Sequence, residues 1–237
     1  MKKRILAFSS SRAGTGGYLE TALTLIKNFL GDKPLQIAFV PFASADNNYE
    51  AYADKVSSAL QSLPHTITAL KHENTKKDIE QSDVIMVGGG NTFKLLHDIY
   101  EANILDSIRN KVSSGTPYIG WSAGSNILSP SIATTNDMPI IEPKSFNALG
   151  LLPFQINPHY TNQKPAGQNG ETRDQRLEEF MKMNPGISVA GLPEGTALHL
   201  DGEVLHFIGP YKGVLLQAGD KVIRKEIADG EDLSFLL

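Results

Sequence analysis

The most constraining feature of the sequence is an alternation of short apolar runs with segments of helical periodicity across its N-terminal two-thirds. Most of the runs are nearly continuous in apolar character, as strands buried on both faces of a sheet are. Each ends in a Gly, Ser or Asn cluster and leads into a segment whose apolar residues recur every three or four positions. The runs are 4–8, 35–40, 66–70, 84–87 and 117–120, and the helical segments are 18–30, 48–63, 75–81, 92–100 and 104–113. This pattern predicts parallel βα units, and therefore an α/β fold with a mostly parallel central sheet and helices on both faces.

The pattern changes from Ile187 onward, where short strands are joined by tight turns. Asp201-Gly202 lies between the apolar runs 197–200 and 203–206, which is a strong signal for a β-hairpin. Further turns are predicted at 209–210, 218–220 and 229–230. We expect an antiparallel C-terminal edge added to the parallel sheet. With no linker, internal repeat or low-complexity tract in view, the sequence predicts one domain spanning residues 1–237.

Composition removes several classes of function. The chain has no cysteine, so it cannot use a disulfide framework, a thiolate metal site or a thiol nucleophile. Lys and Arg number 22 against 26 Asp and Glu, a net charge of −4 that disfavours nucleic acid as a partner. The first apolar stretch, residues 5–8, is too short for a signal-peptide core, and no run approaches the length of a membrane span. We expect a soluble, cytoplasmic protein that binds no membrane.

Ligands bind at the carboxyl ends of the strands in an open parallel sheet, so the residues that follow each run are the candidates for a site. After run 117–120 the chain reads Gly120-Trp121-Ser122-Ala123-Gly124-Ser125, which matches Gly-x-Ser-x-Gly. In that motif a serine sits on a sharp turn between strand and helix with its hydroxyl exposed above the sheet. Because a strand precedes the motif and a short helix over 123–128 follows it, Ser122 is a candidate nucleophile; the alternative is an ordinary tight βα turn.

A serine nucleophile needs a general base, most often histidine. His159 follows the strand-like run 154–158 and is therefore delivered to a loop at a strand end. The other histidines flank the third run, lie within a helix or lie in the late hairpin; they are His65, His72, His97, His199 and His206. His159 is the predicted base.

The residue that orients the base stays open between two carboxylates in turn-rich segments, Asp137 and Glu194. Each could equally be an ordinary turn residue. Sequence reasoning alone does not choose between them.

The triglycine run in Gly88-Gly89-Gly90-Asn91-Thr92 has three interpretations: a phosphate cradle, a steric requirement or an oxyanion hole. It lacks the lysine and Ser/Thr of a P-loop, and no Gly-x-Gly-x-x-Gly pattern occurs there, so nucleotide binding is weakly supported. Free glycine amides, joined by the amide of Ala123, could instead face a developing oxyanion.

Several blocks taken together resemble peptidase family S51, the family of the α-aspartyl dipeptidases. The blocks occur in the family's order over residues 1 to about 215, and they are 88–92, 120–126, 134–139, 157–160 and 191–195. The resemblance implies a fold similar to the class I glutamine amidotransferases, which are flavodoxin-like. It also implies hydrolysis of dipeptides whose N-terminal residue is aspartate.

Residue by residue, the resemblance implies that Ser122 is the nucleophile, His159 the base, and Gly90 and Ala123 the oxyanion donors. For the third charge-relay residue it offers both carboxylates: Asp137 matches the aspartate usually assigned, and Glu194 a glutamate proposed on structural grounds.

Arg173 matches an arginine thought to bind the substrate's aspartate side chain, which suits a guanidinium because it pairs with a carboxylate through two hydrogen bonds. Arg176 could compete for this role, and Arg173 could equally be a solvated charge at a helix start.

The expected activity is therefore that of a serine-type aspartyl dipeptidase, a hydrolase that needs no metal or organic cofactor and whose partner is a small peptide, in a monomer or homodimer. Two alternatives stay open. One is a cyanophycinase-like serine hydrolase of the same superfamily, which acts on a polymer of aspartate and arginine. The other is a non-catalytic module that binds an anion or nucleotide through its glycine loops.

Overall fold

The structure is a computed structural model that describes residues 2–71, 75–164, 167, 169–219 and 221–237. Two features of the sequence prediction, His72 and the Asp220 position of the turn at 218–220, lie outside these residues.

A seven-stranded sheet forms the centre of the molecule, with strand order β3-β2-β4-β5-β1-β8-β9. Its first five strands are mutually parallel, as their registers show: Ile5 pairs with Tyr118, and Ile85 also pairs with Tyr118 from the other side. The strands are β1 (Arg4–Phe8), β2 (Gln36–Val40), β3 (Thr66–Ala69), β4 (Val84–Val87), β5 (Tyr118–Trp121), β8 (Ala197–Asp201) and β9 (Val204–Ile208). The predicted α/β fold with a mostly parallel central sheet and helices is thereby confirmed.

Helices cover both faces of this sheet. They are α1 (Leu23–Leu30), α2 (Tyr49–Ala59), α3 (Thr75–Gln81), α4 (Thr92–Glu101), α5 (Leu105–Ser113), α6 (Ala123–Asn126) and α7 (Arg173–Met183). On one face, α1 and α2 bury residues such as Ile26 and Val56 against Leu6 and Phe39. On the other face, α4 and α5 bury residues such as Leu95 and Ile108 in a larger apolar cluster.

The first helix begins at Leu23, five residues later than its apolar periodicity predicts. Leu19 has a φ of +55°, which a right-handed helix does not accommodate, and its N–H donates to the Ser11 carbonyl at 2.7 Å. Residues 18–22 therefore form turns that bring Tyr18 back toward the carboxyl end of β1.

The C-terminal part adds more than the predicted edge. The Asp201-Gly202 hairpin joins β8 to β9, and β8 pairs antiparallel with β1, so this hairpin does extend the central sheet. The other late strands form a second sheet of order β11-β10-β7-β6, made of β6 (Gln155–Asn157), β7 (Val189–Gly191), β10 (Gly213–Gln217) and β11 (Ile223–Ile227). Its Ile156 and Leu215 share the apolar cluster beneath α4 and α5, which holds the two sheets together.

Within the part of the chain that the structure describes, no helix has the length and apolar character needed to cross a bilayer.

Candidate active site

Ser122 lies on a strained turn between β5 and α6. Its φ of 54° and ψ of −115° fall outside the regions that non-glycine residues ordinarily adopt. The turn is possible because two glycines flank it. A Cβ at Gly120 would lie 2.6 Å from the Gly124 carbonyl oxygen, and one at Gly124 would lie 2.2 Å from that of Val87. The Gly-x-Ser-x-Gly pattern therefore reflects a real steric requirement, and Ser122 stands where a nucleophile elbow would present it.

His159 reaches Ser122 from the second sheet. It follows β6 by two residues, and its Nε2 atom lies 2.8 Å from Ser122 Oγ. The backbone of His159 has a φ of 51°, and its N–H donates to Ser9 Oγ at 2.9 Å. Ser9 is fully buried and donates in turn to the Leu192 carbonyl at 2.7 Å. These bonds tie the imidazole-bearing loop to the end of β1.

Glu194 contacts the opposite side of the same ring. Its Oε1 lies 2.8 Å from His159 Nδ1, so Ser122, His159 and Glu194 form one hydrogen-bonded chain. The Glu194 side chain is 55% exposed, so this carboxylate is hydrated as well as paired.

The other candidate acid, Asp137, is engaged elsewhere. Its Oδ2 accepts from the Thr92 N–H at 2.7 Å and from Thr92 Oγ1 at 2.6 Å, and Thr135 Oγ1 lies 3.2 Å away. Asp137 therefore stabilises the start of α4, and the structure brings Glu194, not Asp137, to the imidazole.

The triglycine run passes close to the elbow. Gly90 has a φ of +138°, and a Cβ there would lie 2.3 Å from the Ala43 carbonyl oxygen, so only glycine fits. Among the described residues, the N–H groups of Gly90 and of Ala123 donate to no acceptor. Gly90 and Ser122 line the same cleft, and Ala123 directly follows Ser122 in the chain. An oxyanion hole needs free amides of this kind.

Ser122, His159 and Gly90 line a cleft of about 720 Å³. Asp137 also lines the cleft, and so does an aromatic wall of three residues that sequence reasoning did not single out: Tyr18, Tyr52 and Trp121. Lys55 lines the same wall, with its Nζ 4.1 Å from the centroid of the Tyr18 ring. Of these three, only Trp121 could have been linked to the site from the sequence, because it lies within the elbow motif. The two tyrosines come from distant segments of the chain.

Arg173 stands at the first turn of α7, where Thr172 Oγ1 accepts from the Gln175 N–H at 3.3 Å in a capping box. It is half-buried, and burial lowers the pKa of its guanidinium, as does the neighbouring charge of Arg176. In the described ranges Arg173 forms no ion pair, whereas Arg176 has Glu171 3.9 Å away. Arg173 is not among the residues lining the cleft in this structure.

The remaining described histidines lie away from Ser122. His97 contacts Asp98 on α4, and His199 packs edge-on against Phe29 with a ring-centroid distance of 5.5 Å. No group of three or more His, Asp or Glu side chains in the described ranges is arranged to hold a metal ion.

Comparison with known proteins adds to this geometry. The model of peptidase family S51 matches residues 5–208. A peptidase E of Nostoc sp. is 48% identical over 238 residues, covering 100% of this chain and 98% of its own length. A peptidase E of Actinobacillus pleuropneumoniae is 50% identical over 209 residues, or 87% of this chain and 89% of its own. The crystal structure of a peptidase from an acI-B1 Actinobacterium shares the fold, with a TM-score of 0.68 at 18% identity over 99% of this chain and 98% of that one. The chain therefore belongs to peptidase family S51.

Proposed function

We propose that this chain is a serine dipeptidase that hydrolyses Asp-X dipeptides through an acyl-enzyme on Ser122. The observation that carries the proposal is the chain of two 2.8 Å hydrogen bonds from Ser122 Oγ through His159 to Glu194. This arrangement supplies a nucleophile, a base and a group that orients the base.

In acylation, Ser122 Oγ attacks the scissile carbonyl carbon while His159 Nε2 accepts the hydroxyl proton. Glu194 accepts a hydrogen bond from His159 Nδ1–H, which selects the tautomer whose Nε2 is free to take that proton. The tetrahedral oxyanion receives hydrogen bonds from the amides of Gly90 and Ala123. His159 then gives its proton to the leaving amine as the C–N bond breaks, and the aspartyl ester remains on Ser122.

Deacylation repeats these roles with water. His159 removes a proton from a water molecule, whose oxygen attacks the ester carbonyl, and the Ser122 oxygen leaves with the proton that His159 returns. Free aspartate is released. Every step uses side chains, backbone amides and water.

We further propose that Arg173 binds the carboxylate of the substrate's N-terminal aspartate. Its half-buried guanidinium has no ion-pair partner among the described residues. A carboxylate that accepts two hydrogen bonds from such an unpaired guanidinium would stabilise its charge strongly. Because Arg173 does not line the cleft, we expect substrate binding to move its side chain toward the site.

We also propose that the fold is similar to that of the class I glutamine amidotransferases, and that the chain acts in the cytoplasm, as a monomer or homodimer, without a cofactor. Glutamine amidotransferase chemistry is disfavoured because the chain has no cysteine to serve as its nucleophile.

A fluorophosphonate reagent tests the proposal against a non-catalytic anion-binding module. We expect covalent labelling at Ser122, found by peptide mass spectrometry, that is lost in His159→Ala. Absence of labelling in the wild-type chain would favour the binding module. Hydrolysis of an aspartate–arginine polymer in preference to Asp-Leu would instead favour the cyanophycinase-like alternative.

A further inference from the structure

We infer that Tyr52 is a positioning residue for the oxyanion hole, in that its hydroxyl holds the Gly89–Gly90 peptide so that the Gly90 N–H faces the reacting carbonyl. The inference rests on the proposed function, which gives that N–H its role. It adds a residue of α2 to a site otherwise built from the loops that follow β4, β5, β6 and β7.

The direction of the Gly90 N–H follows from one hydrogen bond. Tyr52 Oη donates to the Gly89 carbonyl oxygen at 2.9 Å. In a planar trans peptide, the C=O of one residue and the N–H of the next point in opposite directions. With the Gly89 carbonyl turned toward Tyr52, the Gly90 N–H must point away from Tyr52, and it donates to no acceptor among the described residues.

The Tyr52 hydroxyl is itself held in the donating orientation. It has one hydrogen, and two other groups approach its oxygen: Trp121 Nε1 at 3.2 Å and the Tyr18 hydroxyl at 3.3 Å. The indole N–H can only donate. Since the hydrogen of Tyr52 goes to Gly89, the Tyr18 hydroxyl must donate as well. Burial raises the pKa of Tyr52, so the hydroxyl keeps the proton that this role requires.

Without this bond, the peptide plane between Gly89 and Gly90 could rotate. The ends of the loop are fixed, because the Gly88 N–H donates to Val40 at 3.0 Å and the Asn91 N–H donates to Ala43 at 2.9 Å. Between those two bonds, the peptide joining Gly89 and Gly90 has a glycine on each side, so its plane can turn at little steric cost. The Tyr52 hydroxyl is the side-chain donor that restrains it.

The chain also makes room for this contact. A Cβ at Gly88 would lie 2.6 Å from Tyr52 Oη, so any other residue at this position would displace the hydroxyl. The first glycine of the run is thus explained by the tyrosine it admits.

The test compares Tyr52→Phe with Tyr18→Phe. The first removes the donor to Gly89 but keeps the ring that packs edge-on against Phe39 at a centroid distance of 5.0 Å. The second removes the outer hydroxyl of the same chain and keeps the ring beneath Lys55. Deleting a direct oxyanion donor costs about 10²–10³-fold in kcat, so for an indirect restraint we expect about a 10-fold loss in Tyr52→Phe. We expect KM to stay unchanged in Tyr52→Phe. We expect kcat to fall less in Tyr18→Phe than in Tyr52→Phe, because Trp121 Nε1 still donates to the Tyr52 oxygen when the Tyr18 hydroxyl is removed.

A role confined to the transition state has a second signature. The boronic acid analogue of aspartate forms a tetrahedral adduct with Ser122 and should bind Tyr52→Phe more weakly by the same factor as kcat falls. Equal kcat and equal boronate affinity in Tyr52→Phe and wild type would overturn the inference, and so would an equal loss in Tyr18→Phe.

The rate of fluorophosphonate labelling keeps the inference separable from the proposed substrate, because the phosphoryl oxygen occupies the same hole. If wild type labels at Ser122 but cleaves no Asp-X dipeptide, the substrate assignment fails. Slower labelling of Tyr52→Phe than of Tyr18→Phe would still support the inference, and equal rates would overturn it.

Discussion

The Nδ1 atom of His159 lies 2.8 Å from Oε1 of Glu194, and this contact leaves Nε2 as the ring nitrogen that faces Ser122. The competing carboxylate, Asp137, accepts two hydrogen bonds from Thr92 instead. The two acids thus hold different elements: Glu194 holds the imidazole, and Asp137 holds the start of α4.

Exchanging each acid for its amide separates these roles. Glu194→Gln removes the charge that stabilises the imidazolium and allows the wrong tautomer, so we expect kcat on Asp-Leu to fall by about 10²–10⁴-fold. Asp137→Asn should reduce kcat by less than about 10-fold and act mainly by lowering the melting temperature, through weaker bonds to Thr92. Steady-state kinetics and thermal unfolding of both variants check this. The reverse ranking in kcat would make Asp137 the orienting acid.

Arg173→Met tests the proposed aspartate clamp. A lost charge-assisted hydrogen bond corresponds to about 1.5–3 kcal/mol, so kcat/KM for Asp-Leu should fall by about 10–100-fold. The melting temperature should change little, because Arg173 has no ion pair in the described structure to lose. Arg176→Met, one turn further along α7, is the matched control and should retain kcat/KM. Unchanged kcat/KM in Arg173→Met would exclude this residue as the clamp.

Gly124→Ala tests the steric basis of the elbow. The new Cβ would lie 2.2 Å from the Val87 carbonyl oxygen, and backbone cannot move aside as a side chain can. We expect the free energy of unfolding to fall by about 3 kcal/mol and activity to be lost as β4 and the elbow separate. Gly170→Ala is the control, since a Cβ there meets nothing within 4 Å. Similar urea midpoints for the two variants would show that the turn is not tightly packed.

The buried pair of Lys94 and Asp98 predicts a pH dependence of stability. Burial alone would raise the pKa of Asp98, but hydrogen bonds from Lys94, His97 and Tyr49 outweigh it and hold this pKa below its usual value. A carboxylate whose pKa is lower in the folded state stabilises the fold above its unfolded pKa of about 4, and this contribution is lost as the pH falls through the folded value.

Asp98→Asn should therefore lower the free energy of unfolding at pH 7 by about 3 kcal/mol, and by clearly less at pH 3, where the wild-type carboxylate is losing its charge. Urea denaturation at both values measures the difference. Asp106→Asn is the control, because the Asp106 side chain is 79% exposed beside Arg109 and its loss should matter little at either pH. If Asp98→Asn lowered the free energy of unfolding equally at pH 7 and pH 3, the ionised Asp98 carboxylate would not be the source of the stability.

Much of the central sheet could be predicted from the sequence because its strands are buried on both faces. Residues 4–8 and 84–87 form strands with the predicted bounds, since continuous apolar character ends where the strand ends. The position of the elbow followed from the same logic, because Gly-x-Ser-x-Gly comes directly after such a run.

The second sheet could not be predicted in this way. β6 and β7 have three residues each, too few to show the periodicity of a strand or of a helix. The residues that they pair with lie 23 or more positions away along the chain. The choice between Glu194 and Asp137 had the same difficulty. His159 and Glu194 are 35 residues apart in sequence, and their contact depends on how the loops after β6 and β7 pack against Ser9.

The aromatic wall of the cleft shows a further limit. Tyr18 lies on a turn and Tyr52 on α2. Both segments have helical periodicity in the sequence, and this periodicity alone predicts that both tyrosines belong to the apolar face of a helix. The Tyr18 hydroxyl reaches that of Tyr52 only because residues 18–22 depart from the predicted helix, and the Tyr52 hydroxyl reaches the Gly89 carbonyl only because Gly88 leaves space for an oxygen.

The most direct measurement of the central claim is hydrolysis of four dipeptides that differ only in their first residue, Asp-Leu, Asn-Leu, Glu-Leu and Ala-Leu, by wild type and by Ser122→Ala. We predict that wild type cleaves Asp-Leu with kcat/KM at least about 10²-fold above the other three, and that Ser122→Ala, folded to the same melting temperature, loses turnover by about 10⁴-fold or more. Substantial Asp-Leu hydrolysis by Ser122→Ala would contradict the nucleophile assignment, and equal cleavage of Ala-Leu by wild type would contradict the aspartate specificity.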